Sequence, residues 1–185
     1  MKRLFLILLI FVSINLFAQQ ENEREIKVGI ETNILPFFYN GYHGSLWVGK
    51  NGYRARLVAA KADYPKNTVP DGFRKMTLSF YEIEFDIFFG DKKTEFLGWW
   101  LATGIGQTNH QVTTLINDLT ENVNTIDIHI GIGYTFNLWK GLTVNPWGGL
   151  AWHTNFPNEI TVGSEVWEPK SISPVGGLKI GYTIF

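Results

Sequence analysis

The chain has 185 residues, enough for one domain, with 16 basic and 17 acidic residues and a formal charge of −1. It contains no cysteine, which excludes disulfides, thiolate metal sites and lipid attachment at a cysteine. The balance of charge offers no polybasic face, so nucleic acid is not an expected partner.

The N-terminus carries Lys2 and Arg3, then an apolar run from Leu4 to Phe17, then Ala18-Gln19-Gln20. That order is the layout of a secretory signal peptide, assigned to residues 1–19. The run falls short of the ~20 apolar residues that a membrane-spanning helix needs. Residues 20–185 are then expected to form a single domain with 14 basic residues, two fewer than the full chain, against 17 acidic ones.

Beyond the signal segment, apolar residues recur at spacing two, as in strands, and not at the three-and-four spacing of helices. The chain is 15% aromatic, with seven Trp and 19 Gly, a composition that suits a sheet with one face against lipid. Strands are predicted at about 26–37, 43–49, 53–63, 76–90, 96–108, 122–138, 141–153 and 172–185. The clearest are Phe80 to Phe89, with Tyr81, Ile83, Phe85, Ile87 and Phe89 on one face, and Thr125 to Phe136, with Ile126, Ile128, Ile130 and Ile132 on one face. Each is as long as the ~9–11 residues of a membrane-crossing strand. Pro36, Pro146 and Pro174 fall inside predicted strands and are expected at bulges or strand ends.

The connections alternate in length. Gly49–Gly52, Gly90–Glu95 and Leu138–Gly141 read as tight turns, whereas Tyr64–Lys75, Asn109–Glu121 and Thr154–Ser171 read as long loops. An open sheet edge in lipid leaves backbone N–H and C=O groups unpaired, so a sheet in that solvent must close. The expected fold is therefore all-β: an eight-stranded, antiparallel, up-and-down transmembrane β-barrel with short periplasmic turns and longer outer loops. Eight strands leave room inside only for side chains, so the lumen is expected to be plugged.

With the apolar parity outward, the opposite parity lines the lumen. That gives an expected ion-pair network of Glu31, Arg54, Arg56, Glu82, Glu84, Asp86, Asp127 and Lys179, with Lys179 beside Glu31 at the closing seam. Charges taken out of water must be paired, and a structural plug is favoured over acid–base catalysis by these carboxylates. Trp47, Trp99, Trp100, Trp139, Trp147 and Trp152 are expected to form aromatic girdles at the two ends of the strands. His43, His110 and His153 fall near the loop rim without any metal-ligand spacing, and no cofactor motif is present.

These features resemble the small outer-membrane β-barrel proteins of Gram-negative bacteria, the OmpA/OmpX/OmpW-like group, over residues 26–185. The carrying residues are Leu178 to Phe185, with a terminal Phe similar to the signal read by the barrel-assembly machinery, and Asn145-Pro146-Trp147-Gly148-Gly149-Leu150. Phe185 departs from the parity of Leu178, Ile180, Tyr182 and Ile184. The resemblance implies a bacterial outer-membrane location, lipid as surrounding partner, and a non-enzymatic structural or loop-mediated surface role with an unidentified ligand. Two alternatives stand beside it. Trp152-His153-Thr154-Asn155 is similar to the His-x-Ser-Asn stretch of outer-membrane lipid A deacylases, though with different nucleophile spacing. A soluble, lipocalin-like periplasmic binder would require the apolar parity to face inward.

Overall fold

The computed structural model describes residues 25–154 and 156–184; the expected signal segment and Phe185 lie outside them. Eight strands close into a barrel: β1 (Lys27–Asn33), β2 (Tyr42–Lys50), β3 (Tyr53–Asp63), β4 (Phe73–Phe88), β5 (Gly98–Thr114), β6 (Thr120–Trp139), β7 (Leu142–Thr154) and β10 (Ile172–Thr183). Each pairs antiparallel with its neighbour along the chain, and β10 closes on β1 from Gly29↔Thr183 to Asn33↔Lys179. Two further strands, β8 (Ile160–Val162) and β9 (Glu165–Trp167), form a separate hairpin within the β7–β10 connection. The fold is thus the all-β, up-and-down, eight-stranded barrel that the alternation predicts.

Two boundaries differ from the prediction, each for a local reason. The first strand stops at Asn33, whose side-chain oxygen accepts the Leu35 N–H at 3.1 Å, and a helical turn over Leu35–Phe38 takes Pro36 in its first positions. Residues 109–121 are not a long loop: β5 and β6 continue pairing to Thr113↔Thr120 and leave only a short turn. Outside this extension, Asn109 meets Asn124, Gln111 meets Asn122 and Thr113 meets Thr120 in side-chain hydrogen bonds of 3.0–3.4 Å.

The prolines take up positions where no donor is needed. Pro146 keeps its register with Leu178, while on its other side the β6–β7 ladder lacks pairs between Gly133↔Trp147 and Phe136↔Val144. No bulge results there, only a gap of two pairs across which the register is kept; the shift in this ladder lies between Asn137 and Trp139. Pro174 pairs with Leu150 in a part of β10 that extends past the end of β1. Its missing N–H therefore faces no partner strand.

The parity is as the sequence implies along the middle of the barrel. Ile30, Leu46, Leu57, Ile83, Phe85, Leu101, Ile105, Ile128, Ile130, Leu150 and Ile180 are exposed on the outer face, and the charged positions are inside. A soluble lipocalin-like binder has the reverse arrangement, so that alternative is set aside.

At the short-turn end the lumen is floored by Trp47, Phe88, Phe96, Trp100 and Ala102, with Trp147 packed against them. The indoles fit because glycines stand opposite. A Cβ at Gly29 would overlap the Trp47 ring, and one at Gly133 would overlap the Trp100 ring. At the loop end a second apolar cluster, Phe73, Met76, Val112, Ile160, Val162 and Trp167, roofs the barrel beneath the β8–β9 hairpin. Gly133→Val is expected to displace the Trp100 ring and lower stability by ~1–3 kcal/mol through overpacking. Gly44→Val, where a Cβ meets nothing within 4 Å, is expected to change it by less than about 0.5 kcal/mol. Urea unfolding of the two variants in detergent measures the difference.

Candidate functional site

The inward parity of β1, β3, β4 and β10 converges on one buried layer above the aromatic floor. Arg54 Nε donates to Asp86 at 2.6 Å and its Nη1 donates to Glu31 at 2.8 Å. Arg56 reaches Asp86 at 2.7 Å and Glu31 at 3.4 Å, and contacts Glu84. Glu82 contacts His129, whose other ring nitrogen lies 3.7 Å from Glu84. Because neighbouring strands pair Arg54 with Asp86 and Arg56 with Glu84 in direct register, the backbone itself sets these side chains face to face.

Two members of the expected network stand elsewhere. Lys179 does not pair with Glu31: its Nζ lies 3.8 Å from Glu84 and 4.3 Å over the Trp147 ring. The two arginines already occupy Glu31, which leaves the lysine to the far side of the lumen. Asp127 is outside the layer altogether, near the loop end, with His153 Nδ1 at 2.9 Å. The core of the layer therefore contains three cations, Arg54, Arg56 and Lys179, and three carboxylates, Glu31, Glu84 and Asp86, plus the Glu82–His129 contact.

The tryptophans divide. Trp99, Trp139 and Trp152 are exposed on the outer face, at 56%, 68% and 56%, near the strand ends. Trp47, Trp100 and Trp147 are not girdle residues but point into the lumen. There the Arg54 guanidinium lies 5.3 Å from Trp47, and that of Arg56 lies 5.4 Å from Trp100. Trp100 Nε1 donates to Asn145 Oδ1 at 3.1 Å, so its one polar atom is satisfied inside. Parity carries the signal that separates the two groups: Trp47, Trp100 and Trp147 share the inward parity of their own strands with His43 and Ser45, Thr108 and His110, and Thr143 and Asn145.

Above the ionic layer is a cavity of about 300 Å³ whose walls include His43, Glu82, His129, Asp127 and His153. Its outer end holds a cluster that residue spacing alone did not reveal. Thr108 and Thr125 donate hydrogen bonds to Asp127 at 2.5 and 2.7 Å, Thr125 Oγ1 is 3.3 Å from His110 Nε2, and His153 Nε2 is 3.0 Å from Ser173 Oγ. His43 does not join the cluster; its Nδ1 accepts the Asn33 backbone N–H at 3.0 Å. His110 lies on the part of β5 beyond Gln107, past the apolar outer face, and burial together with the neighbouring His153 ring pushes it down to about 4. It is a neutral imidazole at neutral pH.

The contacts Ser173–His153–Asp127 follow the order of an acyl-transfer triad. However, the Asp127 oxygen lies off the ring N–H direction and His153 Nδ1 has no hydrogen-bond partner, so the acid does not hold the base in the tautomer that chemistry needs. Thr154, beside His153 in sequence, donates to the Ile126 carbonyl at 2.8 Å instead of approaching the imidazole.

No family model and no curated protein matches the chain. Among solved structures it is similar to a major outer membrane protein from Thermus thermophilus (TM-score 0.52, 12% identity, covering 88% of this chain and 100% of that one). It is also similar to Neisserial surface protein A (TM-score 0.46, 10% identity, covering 88% of this chain and 98% of that one). At these identities the likeness is one of fold.

Glu84 is the only carboxylate within 4.0 Å of Lys179 Nζ among the described residues. Glu84→Leu is therefore expected to strand a buried ammonium and destabilise by ~3–5 kcal/mol, whereas Glu84→Leu with Lys179→Met is expected to restore much of the loss. A double-mutant cycle on urea unfolding in detergent checks this; additive single effects would show that the two side chains do not interact.

Proposed function

We propose that this protein is an exported, non-enzymatic barrel of the bacterial outer membrane, closed to conduction, whose taller outer wall and loops serve structural or surface contacts. The observation that carries the reading is the outer apolar face. On β6 it runs from Ile126 to Phe136, with Ile128, Ile130 and Ile132 between, all exposed. Ten residue-to-residue steps at ~3.3 Å each, tilted by ~40°, span about 25 Å, the height of the apolar band of outer-membrane barrels. Trp99 and Trp139 stand near its short-turn edge and Trp152 near its loop edge, where indoles favour an interface.

Beyond that band the outer face turns polar at Gln107, Asn109, Gln111, Asn122 and Asn124, as a wall in water requires. The solved barrel from Thermus thermophilus, named as an outer membrane protein, supports the same placement. In this reading the short turns face the periplasm, the assembly machinery inserts the chain, lipid surrounds the band, and the loop end faces outward.

The experiment compares two charges on one face of one strand. Ile130→Arg, near the middle of the band, is expected to cost ~2–4 kcal/mol of stability in lipid, while Asn124→Arg, three rungs beyond Ile130 on the same face and outside the band, is expected to cost no more than about 1 kcal/mol. Heat-dependent migration on a gel after refolding into vesicles reads the folded fraction; equal tolerance of both changes would mean that this face does not meet lipid.

A second consequence concerns transport. With the floor, the ionic layer and the roof in place, purified protein in planar bilayers is expected to give no stable single-channel current. Steady conductance would overturn the closed lumen.

A further inference from the structure

We propose that His110, Asp127 and His153 form a binding site for a divalent transition-metal ion of the zinc class at the loop end of the lumen. The three residues come from β5, β6 and β7, and one ligand atom from each lies within 4.8 Å of the others. His110 is 2% exposed, and both its Nδ1 and that of His153 are buried without a hydrogen-bond partner. Buried polar atoms are nearly always satisfied; His110 Nδ1 makes no hydrogen bond, and His153 Nδ1 faces Asp127 Oδ1 at 2.9 Å without forming one, so a partner shared with the carboxylate would satisfy both. A cation is the partner that two lone pairs and a carboxylate can all accept.

The surrounding hydrogen bonds fix the ligands in the required state. Thr125 donates its hydroxyl proton to Asp127 Oδ1, so the lone pair it turns to His110 Nε2 can only accept. His110 is thereby the Nε2–H tautomer, with a bare Nδ1. Ser173 Oγ, 3.0 Å from His153 Nε2, can accept the corresponding proton there and leave that Nδ1 bare as well. Thr108 holds the second oxygen of Asp127 at 2.5 Å. A ligating imidazole whose far N–H is held by an outer-shell acceptor is the usual construction of a metal site.

The donor set selects the metal. Two imidazole nitrogens and one carboxylate oxygen suit zinc, copper or nickel, while calcium and magnesium prefer oxygen alone. Tetrahedral ligands around zinc stand about 3.4 Å apart, so the side chains close inward on the ion. Three protein ligands leave a fourth position for water or an entering group, and His153 also lines an outer cavity of about 520 Å³ bounded by Ser173, Tyr64, Met76, Phe156 and Trp167. The other acid–histidine group, Glu82, Glu84 and His129, has its ligand atoms in contact with one another and with Arg56 and Lys179, so protein cations already fill the place of an ion.

The test uses the untagged barrel, refolded in detergent and stripped with chelator, with Zn²⁺ and Cu²⁺ as probes. One zinc per folded chain is expected by titration calorimetry and elemental analysis. Asp127→Asn and His110→Gln should each weaken binding at least tenfold, and Thr125→Val by about 10–100-fold, as for an outer-shell partner. Glu82→Gln should leave it unchanged. Electron paramagnetic resonance of the Cu²⁺ form should show two coupled nitrogens, and one after His110→Gln. Absence of zinc binding by the folded wild-type chain would overturn the proposal, as would wild-type affinity in both ligand variants. Should a variant fail to shift on heating, and so fail to fold, the Cu²⁺ spectrum of the wild type decides: two nitrogens support the site, and none refutes it.

Discussion

The barrel depends on a balance of charge inside a sheet that admits little water. Glu31, Arg54, Arg56, Glu84, Asp86 and Lys179 are all at most 5% exposed. Removing one charge from water costs several kcal/mol, and an ion pair recovers this only when geometry and hydrogen bonds are good. Three cations face three carboxylates: each arginine bridges two acids or more, whereas the Lys179 ammonium makes no hydrogen bond and is held by Glu84 at 3.8 Å and by the Trp147 ring. The indole floor contributes in two ways. It excludes water from the short-turn end, and it presents π faces to the same cations, so that Arg54, Arg56 and Lys179 each sit against Trp47, Trp100 or Trp147.

Parity along the chain is readable wherever the two faces of a strand meet different solvents. Between Ile126 and Phe136 the outside is apolar and the inside polar, and the alternation in the sequence states both facts at once. Beyond Gln107 the rule inverts: Asn109, Gln111 and Thr113 face out, and Val112 is wholly buried inside beneath the hairpin. A strand whose apolar side changes face partway along carries no single period, and a polar run such as Asn109–Glu121 then reads as a loop. The same inversion hides Met76 and Phe73 on β4, which belong to the roof and not to the band.

The lumen residues on β3 and β4 were legible because the tight turns before β3 and after β4 lie on one rim and set the levels of both strands. Positions across the barrel were not. Lys179 finds Glu84 through a distance that no strand pairing specifies, whereas Asp127 meets its register partner His153 and, diagonally, Thr108 on strands whose pairing the polar run had hidden. Trp47, Trp100 and Trp147 show the complementary difficulty. An indole near a strand end satisfies the composition of a girdle, yet its own parity and a facing glycine, Gly29 or Gly133, decide that it turns inward. Residue type alone therefore overcounts the interface, and residue type with parity does not.

The rim is uneven, and the unevenness has its own logic. β10 extends from Ser173 to Leu178 past the end of β1, so one side of that segment has no strand partner. An exposed edge invites pairing with another chain, and sheets blunt such edges with residues that cannot continue the ladder. Here Pro174 removes a donor, Ile34 N–H takes the Leu178 carbonyl, and the Asn33 amide lies 3.5 Å from the Gly176 carbonyl. The wall of β1 and β2 is short there, ending at Asn33 and beginning again at Tyr42. The tall wall opposite, β5 to β7, is the part that carries His110, Asp127 and His153. Height on one side and closure of the edge on the other thus combine to hold a buried polar cluster within reach of the outside while the ionic layer below it stays sealed.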